Sequence, residues 1–258
     1  MTAINAVLKR DRAILMTDAS LYDPDGTVVA FGMKAVAIPN LKAAIAVRGA
    51  QKVAALLAME MACTYRDFDH LLERAPDDMP RFYDSVILHL ADIGMQNIDV
   101  LIVGWSDQDR TAKGFAFTSQ PEDGDDECEE LDSWALAPWP SDDERENLQA
   151  IGARPEFNWT AESFDPIRHG IPIMEAQRRM RIVPGDPEAG AEPIHIVGGN
   201  ILLTEVTADG ITQRIVHRWE DDCPGEPIRP AAFSAAQPQT LSRQQRRALE
   251  RSMKKERA

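Results

Sequence analysis

The chain has 258 residues, 44% of them apolar, and a net charge of −14. That length and apolar share are enough for one large domain with a substantial core, which excludes global disorder. The acidic balance argues against nucleic acid as a partner of the body. No apolar run is long enough to cross a bilayer, and three scattered cysteines (Cys63, Cys128, Cys223) argue for a reducing, cytoplasmic setting without a disulfide framework.

Taken in chain order, the first fifty residues read as short strands: Ala3–Leu8, Ala13–Thr17, Thr27–Phe31, Ala35–Ile38 and Ala43–Val47. Turn signals separate them at Lys9–Arg12, DPDG (23–26) and PNLK (39–42). In/out alternation is weak, as expected of strands covered on both faces. Ala50–Thr64 reads as a buried helix, apolar nearly all round, and Pro80–Gly94 as a helix with proline at its start and glycine at its end. IDVLIVGW (98–105) reads as a central strand that pairs with GFAFTS (114–119) across a polar turn.

The segment PEDGDDECEELD (121–132) holds eight acids and no base. It lacks the spaced aspartates of a calcium loop and reads as a solvated acidic loop. Leu131–Ala137 is a further strand candidate, and 138–160 reads as a loop. Residues 166–182 read as a helix broken near Gly170–Pro172. Ile194–Val206 and Ile211–Trp219 form a hairpin around TADG (207–210). The expected organisation is one domain over 1–222, with an acidic insertion at about 119–147, and a Pro/Ala-rich linker and basic tail over 223–258. From Arg229 onward eight basic residues stand against two acidic ones, so the tail carries +6 and residues 1–228 carry −20. Such a tail can dock an acidic partner or a neighbouring subunit.

Chemistry enters at the N-terminus. Met1 is followed by Thr2, a small residue that permits removal of the initiator methionine and would leave a hydroxyl and a free amine on one residue. Asp18 lies sixteen residues beyond Thr2, and Lys34 thirty-two beyond it. With the order strands, helices, strands, helix, strands, these offsets resemble the N-terminal nucleophile (Ntn) hydrolases, above all proteasome β-type subunits and their bacterial relatives. AIAVRGAQKVA, NIDVLIVGWSD and VGGNILLTEVTADG resemble further steps of that family.

The resemblance implies an α+β, four-layer αββα sandwich with two antiparallel sheets between helical layers. It implies an amide or peptide hydrolase with Thr2 as nucleophile and base, tuned by Lys34 and Asp18. A backbone N–H at Arg48 or Gly49 would receive the oxyanion, and no metal or organic cofactor is expected. A peptide or amide is the expected substrate, and a homo-oligomer the expected assembly. The physics fits these residue types. A threonine hydroxyl needs a base, an α-amine is partly neutral near pH 7, and a nearby ammonium depresses that amine's pKa.

The chain also departs from the pattern. Ser20 stands where the family has an arginine, and the family's later aspartate–serine pair has no clear match; Asp165 and Asp186 are candidates for that aspartate, but neither sits in the matching context. An inactive protein on the same fold, acting in binding or assembly through its acidic loop and basic tail, is the alternative expectation. The five histidines show no metal spacing and read as structural. Trp134, Trp139 and Trp159 read as packing under the irregular middle of the chain, or as lining a groove.

Overall fold

β1 (Ile4–Leu8) and β2 (Ala13–Thr17) are buried along their whole length, because apolar side chains leave both of their faces. The computed structural model in which this is seen describes residues 2–91, 97–121, 128–183 and 192–234. Its other strands are β3 (Ser20–Tyr22), β4 (Val28–Phe31), β5 (Ala35–Ile38), β6 (Ala43–Arg48), β7 (Asp99–Ser106), β8 (Thr111–Thr118), β9 (Cys128–Glu130), β10 (Trp134–Ala137), β11 (Asn200–Thr207) and β12 (Gly210–Arg218). The helices are α1 (Gln51–Thr64), α2 (Phe68–Ala91), α3 (Asp142–Ala150) and α4 (Ile171–Arg179).

The fold is mixed α+β, with antiparallel sheets. One five-stranded sheet has the order β10-β1-β2-β11-β12 and the other β5-β6-β7-β8-β9; β3 and β4 form a two-stranded ribbon. Three apolar clusters hold these parts. The first brings Ile4, Ala6 and Leu15 of one large sheet against Ala44, Ala46 and Val103 of the other. The second packs Val53, Leu57 and Met61 of α1 and Phe68 and Leu71 of α2 on Ile45, Ile102 and Phe117. The third packs Leu148 of α3 and Ile173 and Met174 of α4 on Val7, Ile14 and Leu203. Strand residues one apart therefore serve different clusters, as the two-residue period requires.

Several expectations need correction. α2 begins at Phe68 instead of Pro80 and runs through both Pro76 and Pro80. Proline in a helix removes a hydrogen bond, but Phe68, Leu71, Ala75, Met79 and Val86 form a continuous buried stripe that outweighs that loss. α1 is not buried all round: Leu56 is 42% and Met59 62% exposed. The stretch 138–160 is not simply a loop. It contains α3, whose first turn is capped by Ser141 accepting from the Glu144 amide and carries Asp142, Asp143 and Glu144.

The acidic stretch is also more than an insertion. β9 pairs with β8 and β10 with β1, so it supplies an edge strand to each large sheet; residues 122–127 lie outside the described residues. The helix expected over 166–182 does not break near Gly170–Pro172: a π-helical turn over Pro166–Gly170 passes directly into α4, with helical dihedrals at Gly170 and Ile171, and the run ends at Arg179. The late hairpin forms, but only from Asn200, since 195–199 is an irregular turn. The expected linker begins too early: the Gly225 amide donates to Val28 O (2.8 Å), the Val28 amide to Glu226 O (3.0 Å), and Ile228 is buried. The helix candidate over 241–258 lies outside the described residues. Among the described residues no helix is long and apolar enough to cross a membrane.

Candidate active site

Asp18 follows β2 directly and Lys34 precedes β5 directly, so the pair joins the end of one large sheet to the start of the other. The Lys34 ammonium lies 2.9 Å from each Asp18 oxygen. Lys34 is 3% exposed and Asp18 fully buried. Burial pushes the Lys34 ammonium below its ordinary pKa, and the charge and hydrogen bonds of Asp18 oppose that fall.

Asp18 is held from every side. Its Oδ1 also accepts the Ala3 amide at 3.0 Å. Its Oδ2 accepts the Ser20 amide (3.1 Å), the Ser20 hydroxyl (2.8 Å) and the Gly198 amide (3.3 Å). A carboxyl group whose two oxygens receive this many donors is fixed in position. Ser20 Oγ also lies 2.6 Å from the Ile196 carbonyl, so its single proton serves two acceptors.

Thr2 is 4% exposed and stands one peptide before the Ala3 amide that Asp18 accepts. Consecutive Cα atoms are about 3.8 Å apart. The start of the chain is therefore tied to the same carboxylate oxygen that binds Lys34.

Arg48 ends β6, and its guanidinium donates to Asp99 Oδ2 at 3.1 Å. Gly49 follows with φ +115°, and a Cβ there would lie 2.7 Å from the Asn97 carbonyl oxygen. The turn thus requires glycine, because L-residues rarely adopt that φ. The Tyr22 hydroxyl feels both halves of the region. Burial raises its pKa most, the Asp18 carboxylate raises it further, and the Arg48 guanidinium lowers it.

The remaining sequence candidates take structural roles. Asp165 caps the π-turn, its side chain accepting the Ile167 and Arg168 amides. Asp186 lies outside the described residues. His169 is buried, and its Nδ1 accepts the Asp165 amide at 3.0 Å. Trp134 stacks on Trp139, and Trp159 is buried against Phe164. Among the described residues no three His, Cys, Asp or Glu side chains are grouped to hold a metal ion.

No protein-family profile matches the chain, and no curated protein sequence matches it. The geometry therefore carries the functional argument. Sequence reasoning missed two of its parts. In the sequence Ser20 is only a departure from a pattern, yet it ties Asp18 to the late turn. Tyr22 carries one signal in the sequence, an aromatic residue two positions beyond Ser20.

Proposed function

We propose that the chain is a proteasome-like Ntn hydrolase with a four-layer αββα architecture that cleaves amide bonds through Thr2 once Met1 is removed. The observation that carries this reading is a buried cation, Lys34, bound to the carboxylate that also accepts the amide next to Thr2. An N-terminal hydroxyl has little use for such a cation unless negative charge develops beside it.

In this reading the Thr2 amine accepts the proton of its own hydroxyl, and the oxygen attacks the substrate carbonyl. A backbone N–H at Arg48 or Gly49 receives the oxyanion. The Thr2 ammonium returns the proton to the leaving amine, and water then hydrolyses the ester. Lys34 keeps the amine's pKa low, and Asp18 holds Lys34 in place. Thr2→Ala is expected to fold normally and lose hydrolysis of peptide and amide substrates. Undiminished hydrolysis in that variant contradicts the assignment.

The burial of Thr2 favours a second reading, in which Met1 is retained and the same fold serves binding or assembly. Deletion of 229–258 then abolishes a partner contact or an oligomer. If assembly and interactions survive that deletion, the second reading fails.

A further inference from the structure

We infer that the buried Arg178–Asp222 ion pair is a positioning element for the candidate site, clamping the outer side of the Ile196–Gly199 turn so that its inner side holds Asp18 against Lys34. The catalytic meaning of this inference rests on the hydrolase reading.

Three distant segments meet at that turn: Arg178, Asp222 and Asp18–Ser20. On the outer side, Asp222 Oδ2 accepts the Gly199 amide at 2.7 Å. Arg178 binds both Asp222 oxygens, at 2.6 and 2.8 Å, and donates to the Val197 carbonyl at 2.8 Å. Its guanidinium also lies 4.7 Å from the centre of the Trp219 ring. On the inner side, the Gly198 amide donates to Asp18 Oδ2, the Gly198 carbonyl accepts the Ala19 amide (3.0 Å), and the Ile196 carbonyl accepts from Ser20. Consecutive amides of one turn thus point to two different aspartates, Gly198 to Asp18 and Gly199 to Asp222.

The clamp has no slack. A Cβ on Gly198 would lie 2.7 Å from Asp222 Oδ2 and 3.0 Å from an Arg178 guanidinium nitrogen. Both ion-pair side chains are almost wholly buried, 4% and 3% exposed. A buried ion pair is poor value as a stabiliser, because apolar residues of the same shape often do as well. What it supplies is fixed geometry: the planar Arg178 fork and the Asp222 carboxylate leave the turn one position.

The test uses the full-length chain and the variants Asp222→Ala and Asp222→Asn. Two properties are measured: Thr2-dependent amide hydrolysis, with kcat and KM separated, and the titration of the Lys34 ammonium by nitrogen-15 NMR. Asp222→Ala is expected to lower kcat about tenfold or more, since small misplacements of catalytic groups are costly, and to leave KM nearly unchanged. It should also move the Lys34 midpoint downward, because a displaced Asp18 supports the charge less. Asp222→Asn keeps an acceptor for Gly199 but turns an amide NH2 toward the Arg178 fork, so its kcat should lie between those of Asp222→Ala and the wild type.

A folded Asp222→Ala with wild-type kcat and an unmoved Lys34 titration overturns the inference and leaves the hydrolase reading standing. A wild-type protein without hydrolysis ends the hydrolase reading, while the Lys34 titration still decides whether the pair positions the dyad. If Asp222→Ala does not fold, Arg178→Lys, which keeps the charge and loses the fork, is judged by the same two measurements.

Discussion

Thr17 shows how closely the end of β2 is filled. It is fully buried, and its hydroxyl finds no hydrogen-bond partner among the described residues. An unsatisfied buried hydroxyl costs about 1–3 kcal/mol. Thr17→Val replaces it with a methyl of the same shape and should raise unfolding stability by about 1 kcal/mol; a loss of stability in urea melts would show that the hydroxyl has a partner. His169 yields a pH prediction. Burial holds its pKa below the ordinary 6.5, with Arg168 adding to the effect and Asp165 opposing it. Between that lowered value and 6.5 the unfolded chain binds a proton that the folded chain does not. Stability therefore rises with pH across this window and falls as pH drops through it. Protonation would also oppose the bond that Nδ1 accepts from the Asp165 amide. Urea midpoints from pH 7 downward should fall in the wild type, and less steeply in His169→Phe. Equal slopes would mean that His169 takes up its proton as readily in the folded protein as in the unfolded chain.

The β6–α1 turn is the element on which the proposed oxyanion site depends. Gly49 combines a positive φ with a close approach to Asn97, whereas Gly152 has a positive φ (+71°) and nothing within 4 Å of its would-be Cβ. Gly49→Ala should cost about 1–3 kcal/mol, the range for a strained backbone, and clearly more than Gly152→Ala. Equal losses measured by denaturant unfolding would show that the turn gives way to the side chain. The strands were legible from the sequence, because runs such as AILM (13–16) and AAIAV (43–47) are apolar at every position and turn residues lie between them. Asp18 and Lys34 were legible as candidates through their offsets of sixteen and thirty-two residues beyond Thr2, which resemble the Ntn-hydrolase spacing; no local pattern marks either residue. α3 was not legible: Leu148 is its one buried side chain, so no helical period shows, and only Ser141 with Glu144 three residues on marks its start. The early start of α2 was hidden by Pro76 and Pro80, whose local signal lost to tertiary burial.

Across the whole molecule, the candidate site depends on contacts that no local pattern records. Asp18 receives groups from residues 3, 20, 34 and 198, and the turn that carries Gly198 is held in its turn by residues 178 and 222. The segment after β12 is part of this frame. Asp222 grips the turn, Gly225 and Glu226 pair with Val28, and Ile228 enters the core before the basic tail begins at Arg229. The most direct test of the account is the intact mass of the full-length protein, made in a host with normal methionine excision, before and after treatment with a threonine-directed epoxyketone. The account predicts loss of Met1 and a single adduct on Thr2 that is absent from Thr2→Ala. Retention of Met1, or a Met1-free protein that takes up no adduct, would contradict it.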